Sequence, residues 1–162
     1  MHDHQAAEAI TCMTAREEVE AILRADWEVI GLVGPMLGIQ WIPGFIRRIS
    51  SECGGLALDS SPFALAEAAG FKVHSIYLPG RCGASTATTL FVQSQGDIYE
   101  RNLSCLHELL HGLGLRRGLH LNETDWWLAT AAYLLHIMDS PGGASLYPNW
   151  TLTAALRSPI SG

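Results

Sequence analysis

The stretch His107-Glu108-Leu109-Leu110-His111 holds two imidazoles and a carboxylate at a spacing that suits metal-assisted hydrolysis. On a helix, at about 100° per residue, the two histidines lie about 40° apart on one face, so both rings can reach one ion. Glu108 falls on the flank of that face, where it can address a water on the metal without having to ligate it. Neutral imidazoles suit zinc, and a carboxylate that stays off the metal can take a proton from that water. With 7 His and 10 Glu in 162 residues, random order yields ~0.02 such matches per chain. The metal reading therefore outweighs the plainer one, two hydrogen-bonded histidines on a partly buried helix.

A catalytic zinc site takes a third protein ligand and leaves a position open. His120 comes nine residues after His111, whereas the metzincin spacing wants six, and Arg117 stands there. Glu123 and Asp125 both open the next predicted helix. Glu123 is the expected ligand, completing a His-His-Glu site for one Zn2+ per chain, and Asp125 is the alternative. Asn122 can cap that helix, with Asp125 three residues on completing the cap. His74, Tyr99, His120, Tyr133 and His136 are all able to stabilise an oxyanion or contact substrate, and spacing does not choose among them. The strand "TTLFVQS" just before the metal helix is the natural edge to hold an extended substrate. Cys82, in "GRCGAS", could bring a thiolate to the open metal position. Cys105 falls on the far side of the helix and suits the core, and Trp127 has the helical spacing from Glu123 to wall the site.

These residues need elements to position them. Asp97 and Glu100 form a capping-box pattern that predicts a helix from about Ile98 through His111, ended by Gly112 and Gly114. A further helix is predicted from near Asn122, carrying "DWWLATAAYLLHIM". "FKVHSIYLP" and "TATTLFVQS" read as strands, joined by the turn "PGRCGAS", which predicts an antiparallel pair. Upstream, "SSPFALAEAAG" reads as a short helix with Ser61 as cap, Pro62 at its first position and Gly70 closing it. Thr14 and Glu17 open a longer helix in "TAREEVEAILRADWEVIGLV". The segment from Pro35 to Asp59 is rich in Gly and Pro and suggests no element. The tail from Pro141 reads as loop, with Trp150 and Leu152 available to pack back on the core. The expectation is a loose terminus over residues 1–13 and one domain over 14–162. Its fold class is α+β, a small mainly antiparallel sheet packed against the HExxH helix and several further helices.

Composition narrows the function. Apolar residues make up 48% and charged residues 16% of the chain, which is globular in character. A net charge of −6, with no basic cluster beyond Arg47-Arg48 and Arg116-Arg117, argues against direct nucleic-acid binding. No signal peptide is visible, and the most apolar stretch, Val29 to Phe45, is broken by Pro and Gly and too short to span a bilayer. The four cysteines form no CxxC pair, so neither a thiolate zinc site nor a disulfide scaffold is indicated. A cytoplasmic protein is expected.

The segments "ALAEAAGFKVHSIYLPG", "TTLFVQSQ", "ERNLSCLHELLHGL" and "NETDWWLATAAYLL" together resemble the ImmA/IrrE family of small zinc metallopeptidases, gluzincin-like enzymes with an HExxH motif. The resemblance runs from about Pro62 to Leu135. Glu123, Thr124, Asp125 and Trp127 fall in step with the family's ligand-bearing helix, though that helix usually has Ala where Thr124 stands. The resemblance implies a minimal zincin-like fold, Glu123 as zinc ligand and Glu108 as general base. It further implies site-specific cleavage of a protein partner, a helix-turn-helix repressor, and hence a part in transcription regulation. Two alternatives remain: a catalytically silent zinc-binding module acting by protein contact, and another small gluzincin peptidase with a different substrate.

Overall fold

Two helices and a three-stranded sheet carry the candidate residues in the computed structural model, which describes residues 41–137 and 140–148. The expected helix over 14–33, the terminus over 1–13, and Trp150 and Leu152 lie outside the described residues. Helix α1 (Trp41–Glu52) occupies part of the Gly- and Pro-rich stretch that suggested no element. Pro43 sits in its first turn, where an amide has no intrahelical acceptor. Phe45, Ile46, Ile49 and the adjoining Cys53 then recur at helical spacing and are buried. Helix α2 (Pro62–Ala68) forms where the sequence indicated, with Pro62 at its first position and Gly70 at φ +85° closing it.

The sheet departs from the expected hairpin. Strands β1 (Lys72–Ile76) and β3 (Thr89–Gln93) run parallel, with Lys72 beside Thr89 and Ile76 beside Gln93. Part of the predicted turn is itself a strand, β2 (Gly83–Ser85), which pairs antiparallel with β3. The order is β1-β3-β2, a mixed sheet with β3 at its centre. A parallel pair needs a long connection, because the chain must return to its starting end. Residues 77–88 make that return, and β2 is the strand they lay down on the way. The strand rich in β-branched residues, expected at the edge, is the central one because its alternate residues Leu90 and Val92 are fully buried against the helices.

Helix α3 (Ile98–Arg116) starts as expected, with Asp97 Oδ1 accepting from the Glu100 amide at 2.8 Å. It does not stop after His111. Gly112 and Gly114 lie inside it, and both are required by packing: a Cβ on Gly112 would come 2.8 Å from the Phe71 ring, and one on Gly114 would come 2.0 Å from that of Trp126. The helix ends at Arg117, followed by Gly118 at φ +73°. Helix α4 (Glu123–Ile137) begins with Asn122 Oδ1 accepting from the Asp125 amide at 2.8 Å. The expected loop after Pro141 is a short helix, α5 (Pro141–Leu146), with the Ser140 hydroxyl accepting from the Gly143 amide.

The buried cluster joins α1, α2, α3, α4 and the sheet through Ile46, Leu65, Leu90, Leu109, Leu113, Trp126 and Tyr133. Arg116 fastens the sheet end of α3. Its guanidinium donates to Ala87 O and Ala69 O and lies over the Phe71 ring at 3.7 Å. The described residues thus form an α+β arrangement with α3 laid against β3 and β2. Among them, no helix is long and apolar enough to cross a membrane.

Candidate metal centre

His107, Glu108 and His111 on α3 face Glu123 and Trp127 on α4 across a cavity of about 640 Å³. The third wall is the segment Gly80–Ser85, running from the turn into β2. The motif residues and Glu123, 12 positions apart at the nearest, thus share one cavity. Asp125 does not line it. The crossing of α3 and α4 brings them together, and Gly114 against Trp126 lets the two helices approach.

His107 is 1% exposed and held on three sides. The Trp127 ring stacks on it at 3.9 Å with 12° between the planes. Its Nδ1 lies 3.1 Å from Thr130 Oγ1, and its Nε2 lies 2.5 Å from Glu123 Oε1. Thr130 gives its hydroxyl hydrogen to Trp126 O at 2.8 Å, so towards His107 it accepts, and Nδ1 must carry the proton. That tautomer leaves the Nε2 lone pair directed at a carboxylate oxygen. Two lone pairs at this separation repel unless a cation, either a proton or a metal ion, lies with them. Where that cation is a proton on Nε2, the His107 contact holds the Glu123 carboxyl below its ordinary pKa, even against partial burial.

His111, one turn along, has its ring centroid 6.5 Å from that of His107 and rests against Trp126 at 5.1 Å. Burial lowers its pKa and so favours the neutral, ligating form. Among the described residues no three His, Cys, Asp or Glu side chains are gathered closely enough to hold an ion as they stand. The donor chemistry still fits zinc. Two imidazoles and a carboxylate open on one cavity, and a buried hydroxyl fixes one imidazole with its lone pair facing that carboxylate.

Glu108 is 5% exposed, and burial pushes its pKa up. The nearby His107, Ser85 and Arg81 oppose that rise, while Glu123 adds to it. A raised carboxyl pKa suits a group that must both take and return a proton near neutrality. The Ser85 hydroxyl is buried with no partner at ordinary hydrogen-bond distance, yet lies close enough to favour the charged carboxylate. Gly83 leaves the space Glu108 fills, since a Cβ there would come 2.6 Å from Glu108 Cγ and 2.7 Å from Phe91 O.

None of the expected oxyanion groups lines the cavity. His74 stacks on Phe91 at 5.6 Å and borders a separate groove with Phe63 and Lys72. Tyr99 is exposed at the start of α3, and His120 and His136 are exposed beyond the cavity. Tyr133 is buried, with its hydroxyl donating to Leu58 O at 2.6 Å. Cys82 does line the cavity and is exposed. Cys105 is core, its thiol pushed up to about 12 by burial.

Sequence reasoning passed over Thr130, Gly83, Ser85 and Arg81. Thr130 was legible, because Glu123, Trp127 and Thr130 are spaced i, i+4, i+7 along one face of a helix. The other three reach the cavity only because β2 exists, and a three-residue strand inside a turn-like stretch leaves no periodic signal. No family model matches the chain, and neither does any curated protein or solved structure.

Proposed function

We propose that the protein is a zinc-dependent peptidase that cleaves a protein substrate. The observation that carries this reading is the shared cavity of His107, Glu108, His111 and Glu123, with His107 Nε2 and Glu123 Oε1 in contact. His107, His111 and Glu123 would hold the ion, and Thr130 and Trp127 would keep His107 in place. When bound, zinc supplies Lewis acidity, acidifying water beside it and polarising a carbonyl. Glu108, buried and off the His107–Glu123 contact, takes a proton from the attacking water and hands it to the leaving amine. The raised pKa of its carboxyl favours the first of these transfers.

The substrate strand is assigned to β2. Strand β3, expected to serve, has β1 on one side and β2 on the other, so neither edge is open. In β2, Cys82 O accepts from the Gln93 amide and the Thr86 amide donates to Thr89 O. Antiparallel pairs alternate, so Gly83 and Ser85 direct their backbone N–H and C=O away from β3, along an edge paired with no other strand among the described residues. An extended peptide pairing there lies beside Glu108, against which Gly83 packs. By resemblance to the ImmA/IrrE sequences, the partner is a helix-turn-helix repressor.

Elemental analysis of the wild type and Glu123→Ala tests the reading. About one zinc per chain, lost or much weakened in the variant, is expected. Protein that takes up no zinc, purified without chelator and then supplied with the metal, would overturn it.

A further inference from the structure

The turn ahead of β2 aims a cation at the cavity. Leu78-Pro79-Gly80-Arg81 has the Arg81 amide donating to Leu78 O at 3.3 Å and Gly80 at φ +68°, with Pro and Gly where a type II turn requires them. Gln93 fastens this turn at both ends. Its Oε1 accepts from the Leu78 amide, and its Nε2 donates to Leu78 O and to Arg81 O. Arg81 therefore leaves a fixed backbone. Among the described residues its guanidinium makes no hydrogen bond or ion pair, whereas those of Arg116 and Arg117 are engaged. Among the described residues it is also the only Lys or Arg lining the cavity, and its charge lowers the pKa of both Glu108 and Glu123.

An unpaired guanidinium on a cavity wall suits an anionic ligand, and its place in the site says which kind. Arg81 is exposed on the rim. A group stabilising the oxyanion works best where water is excluded, whereas a rim cation is placed to read a substrate side chain. Arg81 lies just beyond Cys82, the last β2-side residue paired with β3. It is two residues before Gly83, about 7 Å along an extended chain. A peptide antiparallel to β2 runs towards Arg81 with its C-terminal part.

We propose that Arg81 determines specificity by binding a carboxylate that the substrate carries one or two residues to the C-terminal side of the scissile bond. The proposal rests on the zinc-peptidase reading and adds the substrate class, a segment with Asp or Glu at that place. On a chain of net charge −6, which repels acidic segments at long range, a local cation is the means of accepting one.

Short peptide hydroxamates that place Asp one or two residues beyond the metal-binding group provide the test, each with its isosteric Asn counterpart. Their affinities are measured by calorimetry on zinc-loaded wild type, Arg81→Ala and Arg81→Glu. In the wild type, the Asp compound of at least one spacing is expected to bind roughly 10- to 100-fold tighter than its Asn partner. The ratio should fall to about one in Arg81→Ala and invert in Arg81→Glu, with zinc content unchanged in both. A wild-type ratio near one at both spacings, or a preference that survives charge reversal, overturns the assignment of Arg81. Failure of wild type to take up zinc or bind any of the hydroxamates instead removes the metal centre, and this inference with it.

Discussion

At the scale of single residues, the site depends on the direction of a few hydrogen bonds. Thr130 acts on His107: by accepting from Nδ1 it fixes the tautomer that leaves Nε2 free to ligate. Replacing it with valine keeps the shape and removes the acceptor. Thr130→Val should weaken zinc binding by about 10- to 100-fold, while Thr130→Ser stays close to wild type. Competition against a chromophoric chelator measures this, and equal affinities for all three proteins would show that Thr130 does not position the ligand. Glu108 separates binding from chemistry. Glu108→Gln should keep about one zinc per chain and lose about 10²- to 10⁴-fold in peptide cleavage. A variant that cleaves at the wild-type rate would remove Glu108 from the base role.

At the scale of elements, glycines set how closely the walls of the cavity approach. Gly114 sits where α3 meets Trp126, and an added methyl would lie 2.0 Å from that fully buried ring. Both neighbours are held, so Gly114→Ala should cost about 1–3 kcal/mol in urea unfolding. Because α4 carries Glu123, the same change should also weaken zinc binding. Gly83 has the corresponding place between β2 and Glu108. Gly83→Ala must displace either Glu108 or the Phe91 carbonyl, and it should lower peptide cleavage at least tenfold while zinc content is kept. Unchanged cleavage by Gly83→Ala would mean that β2 can retreat without disturbing Glu108, and would argue against β2 as the substrate strand.

At the scale of the whole molecule, the buried ionisable groups give the metal-free protein a particular acid response. His111 has a folded pKa below its ordinary 6.5, so the unfolded chain binds its proton first. Its contribution is complete above 6.5 and is lost as pH falls from there through the folded value. Glu123 is also depressed, and its contribution is lost as pH falls below 4.5 through the folded value. Glu108 is raised and acts in the opposite sense, contributing stability at low pH that is lost as pH rises through its folded value. With chelator present, the His111 part of this response should lower the urea midpoint as pH falls below 6.5, against the gain from Glu108. The slope between pH 6.5 and 5 should be shallower in His111→Gln, which has no such proton to bind, and an identical slope would exclude His111 as the source.

The sequence by itself determined the motif, its helix and the next helix with Glu123 in its first turn, because these depend on spacing and on caps within a few residues. Asp97 with Glu100, and Asn122 with Asp125, show those caps in place. It also carried α2, whose Pro62 opening and Gly70 closure are local, although the Ser61 side chain makes no capping hydrogen bond. Helix α1 was obscured by Pro43 and Gly44, which are turn formers in isolation and tolerated once Phe45, Ile46 and Ile49 are buried. Only the tertiary structure decided the sheet. Whether "TTLFVQS" lies at an edge or in the centre depends on what pairs with each side, and the return path over residues 77–88 puts β1 and β2 on its two edges. The same holds for Gly112 and Gly114, which read as helix stops and serve as contact points for Phe71 and Trp126. A local pattern fixes which way a residue faces within its own element. Arg81, Gly83 and Ser85 come to the HExxH cavity by long-range packing, and no window of sequence contains their neighbours.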